Sequence, residues 1–158
     1  MKNRFLANLL LTFIWVALTG SFEFPNVVFG FILSFFLLWI ITRGSGNVRY
    51  FKLVPRVVAF FFFFSYELIK ANLQVAYEVS TPKLNMKPGI VAVPLDIKSD
   101  FEITMLANLI TLTPGTLSLD VSEDKSVLYV HAMYITNKED FIRSIKNGFE
   151  KRIMQISA

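Results

Sequence analysis

Between Phe5 and Thr42 the chain carries a single charged residue, Glu23. No other feature restricts the fold as much. The charge-free runs are "FLANLLLTFIWVALTG", Phe5 to Gly20, and "FPNVVFGFILSFFLLWIIT", Phe24 to Thr42. Each approaches the roughly 20 residues a helix needs to cross a bilayer's hydrocarbon. The link between them, "SFEF", is short enough to leave only an antiparallel helical hairpin. Pro25 suits a helix start, and Trp15 and Trp39 are candidates for headgroup levels. The whole chain of 158 residues is 54% hydrophobic with a mean hydropathy of +0.52, and most of its 17 phenylalanines precede residue 65. The excess over the roughly 45–50% of soluble domains is therefore N-terminal. A membrane-embedded region, 1–82, followed by a small polar domain, 83–158, is the expected division.

Lys2 and Arg4 precede the first run and Arg43, Arg49, Lys52 and Arg56 follow the second, while the tip between them has no basic residue. The bias of basic residues toward the cytoplasm predicts that the N-terminus and everything after residue 43 lie there. A second apolar run follows at once without a clear small-x-small site, so a cleaved signal peptide is not the preferred reading. The third apolar run, Val57 to Phe64, is short and Glu67 and Lys70 follow it. Glu67, Lys70, Gln74 and Glu78 fall on one stripe of a helix. An interfacial helix with that stripe in water is preferred to a third span, which would bury Glu67 and Lys70 in lipid. Glu67 is either a membrane-level carboxylate handling ions or a surface carboxylate spaced i, i+3 from Lys70.

Beyond Lys83 the chain reads as soluble. "GIVAVPLDI" is a strand, with Pro94 at an edge or an end. Ser99 and Glu102 have capping-box spacing before a helix whose face is Ile103, Leu106, Ala107 and Ile110. "TLSLDV" predicts a half-buried strand with Leu117, Leu119 and Val121 on one side. "SEDKS" is a turn, and "VLYVHAMYI" the second arm of a hairpin. Asn137 caps a last helix of apolar positions Phe141/Ile142, Ile145, Phe149, Ile153 and Ile156, with Gly148 a weak point. The order β-α-β-β-α is a small α+β sandwich of the split-βαβ kind without a last strand. A neighbouring chain is expected to cover the open sheet edge.

At the junction "ITLTPGT", Thr111, Thr113, Pro114, Gly115 and Thr116 admit three readings. They form a helix-to-strand hinge whose hydroxyls satisfy freed backbone groups, a surface for neighbouring subunits, or an ion-coordinating kink. The signal for a phosphate loop is very weak, because Pro-Gly follows a helix here and no lysine leads a following helix. The chain has no cysteine and one histidine. Disulfides, cysteine nucleophiles and iron–sulfur clusters are thereby excluded, and His131 lacks the companions of a metal site. No catalytic residue, cofactor or metal is assigned. The net charge of +4 has no aromatic-interleaved basic patch, so nucleic acid is not a partner. The lipid bilayer is.

"STPKLNMKPGIVAV" and "FEITMLANLITLTPGTLSLDVSEDKSVLYVHAM" resemble the MrpE or MnhE component of the Mrp-type multisubunit cation/proton antiporters. "LITLTPGT" and "LYVHA" carry the specific part, and the resemblance extends from the first apolar run to the last helix. It implies a bacterial or archaeal plasma-membrane complex of several different subunits. That complex exchanges cytoplasmic sodium, or another monovalent cation, for external protons, giving sodium resistance and pH homeostasis. The MrpE component would be an accessory one, partnered by the other antiporter subunits and without a catalytic centre. The competing class is a stand-alone membrane-anchored sensor or ligand-binding module.

Overall fold

The computed structural model describes residues 2–42, 49–81 and 86–157. Arg43, Pro82 and Lys83, and with them the expected boundary at 82/83, lie outside these. Two compact units form, Met1–Pro55 and Arg56–Ala158.

The first unit is built on the expected hairpin, α1 (Lys2–Thr19) and α2 (Phe24–Thr42). Gly20, at φ +66°, begins the link. Both ends of the hairpin are tied. At the tip the Trp15 Nε1–H donates to Asn26 Oδ1 at 3.1 Å, and Asn26 Nδ2 donates to Thr19 Oγ1 and the Ser21 carbonyl. At the open end Arg4 donates to Thr42 Oγ1 at 3.2 Å. Trp15 therefore belongs to the tip. Asn8, Thr12 and Ser34 are buried in this unit, and Asn8 Nδ2 donates to the Tyr50 hydroxyl at 2.8 Å. Gly30 is needed there because a Cβ would sit 2.6 Å from the Trp15 ring. Close backbone approach through small residues is how helices pack where apolar burial drives nothing. Among the described residues one helix, Phe24–Thr42, is both long and apolar enough to cross a membrane, and Arg4–Thr19 is a shorter apolar helix.

A continuous helix, α3 (Arg49–Ser80), contains Pro55 and leads into the second unit. Then come β1 (Gly89–Pro94), α4 (Asp100–Leu112), β2 (Thr116–Val121), β3 (Val127–Ala132) and a last helix. The sheet order is β1-β3-β2, with β3 antiparallel to both neighbours. β1 and β2 thus run parallel around β3, joined through α4, which is the split-βαβ arrangement. Pro94 closes an edge strand, as expected. Leu128, Val130 and Ala132 face inward, and Val91 and Val93 join them against Ile103, Leu106, Leu109 and Ile110 of α4. Tyr129, His131 and Met133 take the other face, as strict alternation requires.

One expectation is corrected. Leu117 and Leu119 are not in the core; they are 45% and 47% exposed on the outer sheet face. Thr116 and Ser118 turn inward instead, and Ser118 Oγ donates to the Ala107 carbonyl at 3.0 Å. That bond ties β2 to α4 through the short serine side chain. A bulge between Ser118 and Asp120 then reverses the phase, since one extra residue flips every side chain that follows. Val121 consequently does face the core.

Glu67, Lys70 and Gln74 line an open cleft beside the α+β layers, with Lys70 and Gln74 exposed and Glu67 half-buried. Phe60, Phe63 and Phe64 of the same helical side pack into the core around Phe149, and that fixes the rotation of α3.

The last helix is interrupted. α5 (Lys138–Ile145), capped by Asn137 accepting from the Glu139 N–H at 2.8 Å, passes into a π-helical turn at Lys146–Glu150 and then α6 (Lys151–Ser157). Phe141, Ile145, Phe149 and Ile153 recur every four residues. A 3.6-residue helix drifts about 40° at each such step. One wide turn absorbs the drift and keeps Ile145, Phe149 and Ile153 on the core. Gly148 sits in that turn, 3.4 Å short of the Phe63 ring for any added Cβ.

Candidate functional site

The hinge explains its own threonines. α4 stops at Leu112, and Thr113 is extended at φ −85°, ψ 117°, the geometry a following proline imposes. Gly115 then adopts φ +86°, a conformation L side chains resist. Stopping a helix leaves its last carbonyls without partners. Thr113 Oγ1 donates to the Leu109 carbonyl at 2.9 Å, and Thr116 Oγ1 donates to those of Ile110 and Thr113 at 2.6 and 2.9 Å. Thr111 works on the other side, where its hydroxyl accepts from the Ser118 N–H at 3.2 Å. The Gly115 carbonyl accepts from Met133, and the Tyr134 ring packs 3.3 Å from where a Gly115 Cβ would lie.

Around this hinge is a cleft of about 210 Å³. Glu67, Lys70 and Gln74 of α3 form one wall, and Thr113, Pro114, Gly115 and Thr116 form the opposite one with Tyr134. The two residue groups singled out in the sequence, some 40 positions apart, therefore meet at one place. Only Thr111 lies outside it. Glu67 and Lys70 approach to 3.9 Å, with side chains 28% and 62% exposed. A pair that open contributes about 0–1 kcal/mol. The hinge hydroxyls are occupied by main-chain partners, so the cleft wall is a folded turn with an ion pair opposite.

His131 is on the outer sheet face in register with Ile90 and Leu117. Among the described residues no three His, Asp or Glu side chains converge as metal ligands do.

Sequence reasoning missed one polar centre. Glu150 is fully buried, and its Oε1 accepts from the Asp96 and Ile97 N–H groups at 2.6 and 3.2 Å. Lys146 approaches its Oε2 at 3.5 Å while donating to the Pro94 carbonyl at 2.8 Å and pairing with Asp96 at 2.9 Å. Burial opposes the Lys146 charge. The Asp96 hydrogen bond and the Glu150 and Asp96 carboxylates outweigh it and hold the ammonium above its usual 10.5. In "KNGFEKR" Glu150 looks solvated, and its only sequence signal is the i, i+4 spacing to Lys146.

A family model described as Na+/H+ ion antiporter subunit matches residues 8–156. The E component of the Na(+)/H(+) antiporter of Bacillus subtilis is 40% identical over 157 residues, covering 99% of each chain. That of Alkalihalophilus pseudofirmus is 38% identical over 157 residues, again with 99% of each covered. Among solved structures, a chain of the membrane-bound sulfane sulfur reductase, an archaeal respiratory membrane complex, superposes with a TM-score of 0.58 at 30% identity, covering 99% of both. By its end-to-end match to these sequences, the chain belongs to the MnhE family of Na+/H+ antiporter subunits.

Proposed function

We propose that this chain is an accessory and assembly subunit of a multisubunit Na+/H+ antiporter of the Mrp type, supporting sodium extrusion and pH homeostasis at the plasma membrane of a bacterium or archaeon. The carrying observation is the 38–40% identity to MnhE-type antiporter chains along 99% of the sequence. Its partners are the other antiporter subunits and the bilayer. It acts without a catalytic centre of its own, a reading supported by hinge hydroxyls that are all engaged within the fold.

In this reading α1 and α2 cross the membrane as a hairpin and 1–82 is its membrane region. The N-terminus and the α+β domain, 83–158, are cytoplasmic. The basic residues flanking the hairpin support that orientation. The hinge and the outer edges of β1 and β2, which pair with no further strand among the described residues, are the surfaces offered to neighbouring subunits, because an open edge invites pairing.

The test is extraction in mild detergent, capture through a tag on this chain, and mass spectrometry of what accompanies it. Large ion-translocating antiporter subunits are expected in the eluate. Capture of the chain alone, with those subunits present in the same membranes, overturns the proposal.

A further inference from the structure

Every charge on α3 lies on one side. At 100° per residue, Arg49, Lys52, Arg56, Glu67, Lys70 and Glu78 fall within a sector about 80° wide. Phe60, Phe63 and Phe64, which enter the core, share that side. The outward side carries Val58, Phe62, Tyr66, Ile69, Leu73 and Tyr77, spaced by three or four residues and 49–69% exposed. A surface helix in water has the reverse arrangement, with charges outward. Here Glu67 and Lys70 border the cleft beside the α+β layers, and the opposite, apolar side is bare.

From these observations we infer that the outward face of α3 between Val58 and Tyr77 rests on the acyl boundary of an anionic bilayer, parallel to its plane, with the α+β layers above it. Three observations select lipid. Six residues separate Thr42, the end of the membrane-crossing α2, from Arg49. At most about 25 Å can therefore part α3's first turn from the bilayer face where α2 ends. Residues 43–56 hold Arg43, Arg49, Lys52 and Arg56 and no acid, a basic segment of the kind that anionic headgroups attract. Tyr66 and Tyr77 put hydroxyls at either end of the stripe's second half, as interfacial aromatics do. Such helices bury their apolar face about 5–10 Å deep. The inference rests on the membrane location proposed above.

The absence of cysteine makes the test direct. Single cysteines Val58→Cys, Phe62→Cys, Ile69→Cys and Leu73→Cys are spin-labelled in the full chain, in phosphatidylglycerol/phosphatidylethanolamine liposomes. Phe36→Cys, on the exposed face of α2, serves as the membrane control. Accessibility to oxygen and to an aqueous nickel chelate gives depth. All four α3 positions are expected to favour oxygen and to agree in depth within about 5 Å, one helical turn. Four outcomes overturn the inference. Nickel access at the α3 positions, with Phe36 lipid-exposed, means the face is wet. A depth that rises steadily from 58 to 73 means α3 spans. Low access to both reagents means a protein, such as a second copy, covers it. Nickel access at Phe36 as well means that the membrane location has failed, whatever a pull-down shows.

Discussion

At the residue scale the hinge and the buried carboxylate make the sharpest demands. Gly115 combines φ +86° with a Tyr134 ring 3.3 Å from an added Cβ. Gly115→Val is expected to cost about 1–3 kcal/mol, read as a lower thermal midpoint of the full chain in detergent. An unchanged midpoint would show that the hinge relaxes without a backbone requirement. Glu150→Gln keeps an oxygen for the Asp96 and Ile97 amides but loses the charge facing Lys146. A loss of about 1–3 kcal/mol follows, read in the same melt. Glu67 is different, since its pairing with Lys70 spans 3.9 Å and Lys70 is open to solvent. Glu67→Gln should leave antiport in everted vesicles near wild type; a collapse with normal assembly would assign Glu67 to ion movement. The residue types at the hinge were readable in "ITLTPGT", because proline and glycine impose backbone geometry locally. Glu150 was not, because only the π-helical turn carries it inward.

At the element scale the last helix is held to the loop after β1 by Lys146, which bridges Pro94, Asp96 and Glu150. Its native pKa is raised, so the protonated amine is the stabilising form. The contribution is complete below the usual 10.5 and disappears as pH rises through the raised native value. Comparing wild type with Lys146→Met, the gap in thermal midpoint should be constant up to about pH 10 and close above it. A gap that ignores pH would mean the side chain acts by packing alone. The β2–β3 turn works with the opposite sign. The Ser122 hydroxyl, then Ser126, holds the exposed Asp124 carboxyl below its usual 3.8, so its contribution is present above that value and is lost as acid passes through the lowered one. Periodicity identified the three strands and α4 and placed the last helix without its π-helical break, but it misassigned the buried side of β2. A bulge of one residue is invisible to an alternating pattern, and a serine under a helix looks like a serine in water.

At the scale of the whole molecule, the aromatics ahead of Glu67 belong to two environments. Phe60 is part of the α+β core, and Phe63 and Phe64 pack against Phe149, while Phe61 and Phe62 are 64% and 67% exposed. A fragment beginning at Arg56 should therefore unfold later in detergent than one beginning at Lys83, by roughly 3 kcal/mol of lost apolar burial. Equal stabilities would show that α3 contributes nothing to the domain. The sequence by itself determined the hairpin, the order of strands and helices, the hinge and the family. Each of these is written in local signals: charge-free length, period, capping residues, Pro-Gly. Only the tertiary structure decided which side of α3 meets protein, which leucines of β2 stay outside, and that a glutamate among lysines is buried. Those outcomes depend on which surfaces close over one another, and a side chain does not encode its neighbour across the fold.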